Sequence, residues 1–272
     1  MSLSRAVLRT EGIILNSFRL RDADRMVVIF TKEQGKLKAV MKAASKARNR
    51  FAANAEIGHL VDAGIFFRTP QSETGRIIEL TIRNPFVSLR QSIERIMVLS
   101  YVLNLVEETW PWHDPHPSFY VLFKSMLERV DAAEDPHQVR SLLRVFELRL
   151  LFFLGIHPAL DRCGNCGEKT TAAVSLDTRS MTVLCPSCAL SVRKTGRNEK
   201  YDRVGRDGGN EILEMSKGLV RFYHDSLAQS GAVESVTLTK AVDDGSRNFF
   251  KSVFLNYLGK KLNVLEVRKE LV

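Results

Sequence analysis

The sequence predicts an α+β fold, in which an N-terminal five-stranded barrel is followed by an α-helical domain with an inserted four-cysteine zinc ribbon. Three observations predict it. Short β-branched and apolar runs, separated by turns that contain glycine, fill residues 1–84. From residue 85 onward, apolar residues recur mainly at helical spacing. The four cysteines of the 272-residue chain fall in two close pairs.

The barrel is predicted from five short strand candidates, one of which shows a clear alternation. In Lys36–Lys42 the lysines occupy one face, and Leu37, Ala39 and Met41 occupy the other. A closed barrel of this size is typical of the OB-fold, which binds oligonucleotides. We therefore expect an OB-fold nucleic-acid-binding domain at 1–84. The strand candidates are Glu11–Arg19, Arg25–Phe30, Lys36–Lys42, Leu60–Arg68 and Arg76–Arg83.

Helices are predicted on both sides of the cysteines. Asn84-Pro85 ends the last strand, and Ser88 is the expected cap of the first helix. The helical domain is expected to cover 85–159 and 207–272, with the zinc-ribbon insert and a basic loop at 160–206. The helix candidates are Ser88–Glu108, Ser118–Val130, Pro136–Leu154, Glu211–Gln229 and Ser246–Leu258.

The cysteines form two Cys-x-x-Cys pairs, Cys163/Cys166 and Cys185/Cys188, with eighteen residues between Cys166 and Cys185. This spacing is typical of a zinc site. Four thiolates complete a tetrahedron and leave no position for water or substrate, so one structural Zn²⁺ is expected, with each pair on a turn. Two disulfides, a redox pair, a site without metal and an iron–sulfur cluster are the alternatives.

Positive charge is concentrated near the start of the chain. The formal net charge is +9, and residues 1–51 contain twelve basic and four acidic side chains. Such a concentration favours a polyanionic partner, although a solvated basic face is the simpler alternative. Phe18 and Phe51 either stack on bases or belong to the core. The nucleic-acid-binding candidates are Arg19, Arg21, Arg25, Lys36, Lys38, Lys42, Lys46, Arg48, Arg50 and Phe51.

Other classes of protein are disfavoured by what the sequence lacks. It has no long uncharged apolar run and no apolar signal core after its first residues, so we expect a cytoplasmic protein. It has no convincing Ser/His/Asp set, phosphate-binding glycine loop or carboxylate cluster for two metal ions, so we expect no enzyme. The acidic pair Asp22 and Asp24 lies among arginines, and we expect it to pair with Arg21 or Arg25. In the predicted third helix, Arg140 and Arg144 share a face. They either cover its flank or border a groove for an acidic peptide.

The chain resembles the RecO family of bacterial recombination mediators and DNA-repair proteins. The resemblance spans residues 8–188 and adds little beyond them. The basic segment departs from the family in one place, because Lys42-Ala43 stands where Lys-Gly is usual. If that glycine has a positive φ, the loop is expected to differ here. The resemblance is carried by Thr10–Leu15, Asp22–Arg25, Phe30-Thr31, Gly35-Lys36, Lys42–Phe51, Leu143–Leu148, Leu154-Gly155 and the cysteine pairs.

The resemblance implies a function as well as a fold. It implies binding of single- and double-stranded DNA, annealing of complementary strands, and help in loading recombinase onto strands coated by single-strand-binding protein. The implied partners are RecR and the acidic, Phe-ended tail of single-strand-binding protein, with nucleoid association in the cytoplasm. The candidate residues for that tail are Arg140, Arg144, Phe146 and Leu150.

Two rival functions remain open at this point. One is a zinc-ribbon protein with an OB-fold that binds RNA or the ribosome. The other is an enzyme, such as a nuclease or a zinc hydrolase, although a site with four thiolates disfavours catalysis by zinc.

Overall fold

A computed structural model describes residues 6–21, 23–44, 54–69, 71–170, 174–178, 180–195, 212–228 and 238–259. Described residues up to Glu134 form one compact unit, and those from Asp135 onward form a second. In the described part of the chain, no helix combines the length and apolar character that crossing a membrane requires.

The first unit contains the predicted five-stranded closed barrel. Its strands are β1 (Ala6–Arg21), β2 (Asp24–Thr31), β3 (Gly35–Met41), β4 (Leu60–Phe67) and β5 (Thr74–Asn84). Their order around the barrel is β1-β2-β3-β5-β4. The long β1 pairs with β4 through its first half and with β2 through its second half, while parallel pairing of β3 with β5 completes the closure.

The alternation predicted for β3 is confirmed by its burial. Leu37, Ala39 and Met41 lie in the barrel core. They pack there with Val27 and Ile29, the inward residues of β2. Cross-strand partners share a face of the sheet, so Lys38 and Val40 face outward. Each of the larger aliphatic side chains in this interior contributes about 1.5–3 kcal/mol through burial.

Two helices pack on the barrel in the first unit. A 3₁₀ turn, Val87–Arg90, precedes α1 (Ile93–Thr109) and α2 (Pro117–Ala132). Ser88 was expected to cap the first helix, but Ser92 does so by accepting from the Arg95 backbone N–H. The later start has a local reason, because Phe86 is left-handed and the Asp131 carboxylate accepts from the Leu89 N–H, which holds the preceding turn.

An aromatic cluster joins these helices to the outside of β2. Phe30 points outward and packs against Trp110, Phe119, Tyr120 and Phe123, with ring centroids 5.6–6.2 Å apart. Trp110 also stacks on Phe119, with centroids 4.0 Å apart and planes 7° from parallel. Large aromatic surfaces dominate the energetics of such contacts, so this cluster fixes the segment after α1 on the barrel.

Glu11 connects three elements of the same unit. Its carboxylate accepts hydrogen bonds from the Tyr120 hydroxyl at 2.9 Å, the Lys124 ammonium at 3.0 Å and the Arg83 guanidinium at 3.0 Å. Burial raises the pKa of Glu11, but these hydrogen bonds and the charges of Lys124 and Arg83 outweigh it and lower the pKa. The carboxylate therefore stabilises the fold when it is ionised.

The second unit surrounds a small sheet with helices. Its strands β6 (Val174–Asp177), β7 (Thr182–Leu184) and β8 (Ile212–Met215) lie in the order β7-β6-β8. Strands β6 and β7 form an antiparallel hairpin. The helix expected from Glu211 begins later, because Ile212–Met215 pair with β6 as a strand. The helices are α3 (Pro136–Phe153), α4 (Pro186–Thr195), α5 (Lys217–Ala228) and α6 (Lys240–Leu258).

Glu11→Gln is expected to lower the free energy of unfolding by about 1–2 kcal/mol at pH 7, because the hydrogen bonds from Tyr120, Lys124 and Arg83 lose their ionised acceptor. A carboxyl with a lowered folded pKa stabilises above its unfolded pKa and loses that contribution as pH falls through the folded value. Urea unfolding should be measured from pH 7 down to pH 3. The difference in the free energy of unfolding between variant and wild type should shrink below about pH 4.5.

Glu79→Gln is the matched control for this prediction. Its carboxylate is 58% exposed and lies 3.8 Å from Arg9, so its loss should change stability by less than about 0.5 kcal/mol. A gap between Glu11→Gln and wild type that persisted unchanged at pH 3 would contradict the assigned role of the Glu11 charge.

Candidate nucleic-acid interface and metal centre

The barrel presents a mixed cationic and apolar surface on β1, β2 and β3. Val40 lies between the core residues Ala39 and Met41, so it faces outward. Met26 pairs with both Val40 and Phe18, and cross-strand partners share a face, so all three lie on the outward face. Lys38 lies one outward position before Val40 on β3, and Lys42 follows the strand. We call this surface, formed by Phe18, Met26, Lys38, Val40 and Lys42, the barrel face.

The described cations here differ in accessibility. Arg19 is exposed, while Arg25 is half-buried and donates to the Ser17 carbonyl at 3.4 Å. The Lys38 side chain is 37% exposed and lies 4.0 Å from the Glu73 carboxylate. The Lys42 side chain is 57% exposed and pairs with Asp24 at 2.7 Å. Both lysines can exchange these carboxylates for phosphates, because exposed ion pairs are weak.

Lys36 does not belong to this accessible set. It is 4% exposed, and its ammonium donates to the Glu107 carbonyl at the end of α1. Burial lowers the pKa of Lys36, although the negative charges of Glu107 and Glu108 act to raise it. This burial argues against the predicted contact of Lys36 with nucleic acid, because the ammonium is directed to the Glu107 carbonyl.

The other predicted nucleic-acid residues have different outcomes. Phe18 is 47% exposed, so of its two predicted roles the structure excludes the core. The predictions for Lys46, Arg48, Arg50 and Phe51 fall outside the described residues, as does that for the Arg21 side chain.

The turn after β3 is held by Asp24. Its carboxylate accepts from the Lys42 ammonium at 2.7 Å and from the Ala43 backbone N–H at 2.9 Å. Asp24 was expected to pair with an arginine, but Lys42 is its ionic partner. Ala43 has a φ of 54°, so the alanine itself adopts the conformation that glycine favours. The loop at Lys42-Ala43 therefore does not have to differ from that of the family.

The four cysteines of the second unit converge on one point. Their sulfur atoms all lie within 4.8 Å of one another. Cys163 and Cys166 lie on a turn that is tied to β7, because the Gly164 N–H donates to the Val183 carbonyl at 2.7 Å. Cys185 directly precedes α4 and Cys188 lies in its first turn, so the second pair opens a helix instead of the predicted turn.

The donor chemistry of this cluster fits a tetrahedral thiolate site. Zinc–sulfur bonds of about 2.3 Å place the sulfurs of a tetrahedron about 3.8 Å apart. The Cys166 and Cys185 sulfurs are 3.8 Å apart. Burial raises the pKa of Cys163, but N–H groups of Cys166, Cys185 and Asn165 outweigh it and lower the pKa to about 6. The cluster can therefore hold a metal ion.

The predicted partner-binding residues of α3 are mostly buried. Phe146 and Leu150 are 0% exposed, and Arg144 is 1% exposed. The Arg144 guanidinium donates to Glu147 and to Asp243 of α6, both at 2.6 Å. Burial argues against a surface role for these three side chains. Arg140 stays partly accessible, at 29% of its side chain, 3.8 Å from Asp243.

Comparison with known proteins agrees with this architecture. Residues 1–86 match the family model described as Recombination protein O N terminal. Residues 90–199 match the model described as Recombination protein O C terminal. The chain belongs to the RecO family. The family models thus cover the barrel and the cysteine cluster, and they place the chain among proteins of recombination and DNA repair.

Individual RecO proteins show the same relationship. The DNA repair protein RecO of Geobacter metallireducens is 30% identical over 226 residues, which are 83% of this chain and 88% of that protein. RecO of Symbiobacterium thermophilum is 32% identical over 67% of this chain and 72% of its own length. RecO of Listeria welshimeri is 29% identical over 66% and 68%, respectively.

Trp112 is the residue near this interface that sequence reasoning missed. Its proline-rich surroundings predict only a loop, yet it is 46% exposed and lies beside Lys38. The signal that could have found it is its setting between Pro111 and His113, since a large aromatic in a polar, proline-rich loop has little local core to enter.

Ala43→Gly is expected to stabilise this RecO chain by about 1 kcal/mol, because a left-handed alanine is strained by roughly that amount. Chemical unfolding of the two proteins would measure it. Ala133→Gly is the control, since Ala133 has a φ of −68° and glycine there should destabilise. Equal effects of the two changes would contradict strain at Ala43.

Proposed function

We propose that this chain is a non-enzymatic recombination mediator, which binds single- and double-stranded DNA, anneals complementary strands and helps to load recombinase onto coated single strands. One observation carries the proposal: in a chain of the RecO family, a closed five-stranded barrel exposes Arg19, Lys38 and Lys42 around an apolar face that includes Phe18. Cations supply binding to phosphate, and an exposed aromatic accepts an unpaired base.

Annealing follows from the same electrostatics. Two complementary strands repel one another through their phosphates, and a cationic surface offsets that repulsion while leaving base edges free to pair. No bond is made or broken, so the activity needs no catalytic group. The strength of the effect depends on ionic strength, because release of counterions drives the binding.

The proposed partners follow from the family. We propose RecR and the acidic tail of single-strand-binding protein, acting in the bacterial cytoplasm at the nucleoid. Within α3, Arg140 is the predicted tail-binding residue that keeps an accessible side chain. Its guanidinium can pair with an acidic peptide, while Arg144 stays committed to Glu147 and Asp243.

We also propose that Cys163, Cys166, Cys185 and Cys188 hold one Zn²⁺ with a structural role. Four soft thiolate donors match zinc and fill its coordination, so the ion supplies folding energy and no open coordination position. Asn165 supports the site by donating to the Cys188 sulfur at 3.4 Å, and Ser187 lies 3.1 Å from the Cys185 sulfur. Such contacts orient ligands around a metal.

Removal of charge from the barrel should weaken binding and flatten its salt dependence. If about five phosphates are neutralised, log K falls with log salt at a slope of roughly −3.5 on single strands. Arg19→Gln/Lys38→Gln/Lys42→Gln should reduce that slope to roughly −1.5, because about three contacts are lost. Fluorescence anisotropy with oligothymidylate, together with an annealing assay on complementary strands, measures both effects.

Lys217→Gln/Lys240→Gln/Lys251→Gln is the matched control, which removes the same charge from exposed positions of the second unit. Lys46→Gln/Arg48→Gln/Arg50→Gln tests the nucleic-acid-binding residues predicted in the basic segment after β3. Equal slopes for the barrel variant and the control would refute the assigned face. Competition between matched single-stranded DNA and RNA separates the mediator from an RNA-binding protein.

Loss of one cysteine should remove the metal. Cys188→Ser is expected to reduce bound zinc from one ion per chain to none and to lower the unfolding temperature, because the module depends on the ion for folding. Asn165→Ala keeps all four thiolates and should retain zinc with about tenfold weaker affinity. Elemental analysis and thiol titration of the denatured chain measure these outcomes, and disulfides in place of thiols would exclude the site.

A further inference from the structure

Trp112 presents an exposed aromatic surface beside the lysines of β3. It is 46% exposed, whereas its neighbour Trp110 is 3% exposed. The Lys36 ammonium lies 4.5 Å from the centre of the Trp112 ring, and the Lys38 ammonium lies 5.6 Å from it. Both distances are within the range of cation–π attraction. The indole is therefore held next to a fixed positive charge and a partly accessible one.

The loop that carries Trp112 is attached to the barrel by its backbone. Trp112 forms a parallel bridge with Lys36, and the His113 N–H donates to the Lys36 carbonyl at 2.9 Å. Gly35 permits this approach, because a Cβ there would lie 2.2 Å from the Asp114 carbonyl oxygen. The Trp110 indole N–H donates to that same oxygen at 3.0 Å. The position of Trp112 is thus set before any ligand binds.

The side chain is large, flat, exposed and pre-positioned, and its neighbours are cationic. A ligand that matches these properties has a flat π surface linked to negative charge, and an unpaired nucleotide has both. Lys38 supplies the accessible cation, although Glu73 lies 4.0 Å away and is 83% exposed, so a phosphate would compete with that carboxylate. An acidic peptide would satisfy the charge but would leave the indole without a stacking partner.

The geometry also relates Trp112 to Phe18. Lys38 on β3 pairs with Val28 on β2, and Phe18 on β1 pairs with Met26, the next outward residue of β2. Adjacent strands are about 4.8 Å apart, so β1 and β3 are separated by about 10 Å. Trp112 bridges Lys36 on the edge of β3 that faces away from β2, so β3 and β2 separate the Trp112 segment from Phe18 on β1.

We propose that Trp112 is a base-stacking residue of the DNA-binding surface, on which an unpaired base of a single strand lies while neighbouring phosphates meet Lys38. This inference rests on the proposed function, since it assumes that single strands cross the barrel face. It assigns to the segment between α1 and α2 a direct part in binding. It also implies that single strands bind more tightly than an equal length of phosphates without bases.

The test compares oligothymidylate with an abasic deoxyribose-phosphate oligomer of equal length and charge. Wild type should prefer oligothymidylate, and Trp112→Ala should bind it about tenfold more weakly with an unchanged salt slope. Affinity for the abasic oligomer should not change, and Trp112→Phe should recover part of the loss. Ile93→Ala, at a 76% exposed apolar residue outside the barrel strands, is the control and should match wild type.

Fluorescence gives a second readout. The chain has two tryptophans, so Trp110→Phe leaves Trp112 as the sole indole. Its emission should be quenched by oligothymidylate and not by the abasic oligomer.

Three results would overturn the proposal. The first is equal affinity of Trp112→Ala and wild type for oligothymidylate. The second is an equal loss of affinity of Trp112→Ala for both oligomers. The third is quenching of the Trp112 emission by polyglutamate in place of DNA, which would indicate a protein partner. A wild type that bound neither oligomer would instead refute the proposed function itself.

Discussion

The packing of Phe30 against the aromatic side chains that follow α1 is the contact on which the first unit depends. Phe30 faces outward from β2, and it would be a costly exposed aromatic without Trp110 and Phe119. The helices cover this part of the barrel exterior, and Lys36, the cross-strand partner of Phe30, is buried with it. The remaining exterior toward Val40 and Met26 stays accessible. One strand pair therefore serves both packing and the proposed interface.

The second unit is organised around polar groups that must be satisfied. Arg144 is buried, and its charge is compensated by Glu147 of the same helix and by Asp243 of α6. The pair with Asp243 joins α3 to α6. The cysteine cluster lies where a turn meets the start of α4, and the sheet beside it gains β8 from later in the chain. In both places the chain brings together groups distant in sequence, so the unit depends on long-range contacts more than on local helix propensity.

Much of this architecture could be predicted, because its signals are local. Alternation in Lys36–Lys42 identified the inward and outward faces of β3, and the cysteine spacing identified the cluster that can hold a metal ion. The burial of Lys36 could not be predicted in this way, since periodicity tells which face a residue occupies and not what covers that face. The burial of Arg144 could not be predicted for the same reason, because its partner Asp243 is ninety-nine residues away in the sequence. Ile212–Met215 was predicted to belong to a helix because its strand partner, Val174–Asp177, lies 35–41 residues earlier in the sequence, beyond the reach of a local pattern.

The seam between β3 and β5 has a consequence for how the barrel behaves. Its parallel register joins only Lys38 to Thr74, Ala39 to Gly75 and Val40 to Arg76, whereas β3 is paired with β2 along its whole length. Thermal breathing of a closed sheet begins at its shortest ladder, because the fewest hydrogen bonds must be broken there. Lys38 belongs to that ladder, so a polyanion bound to Lys38 would also stabilise the strand pair that opens most easily.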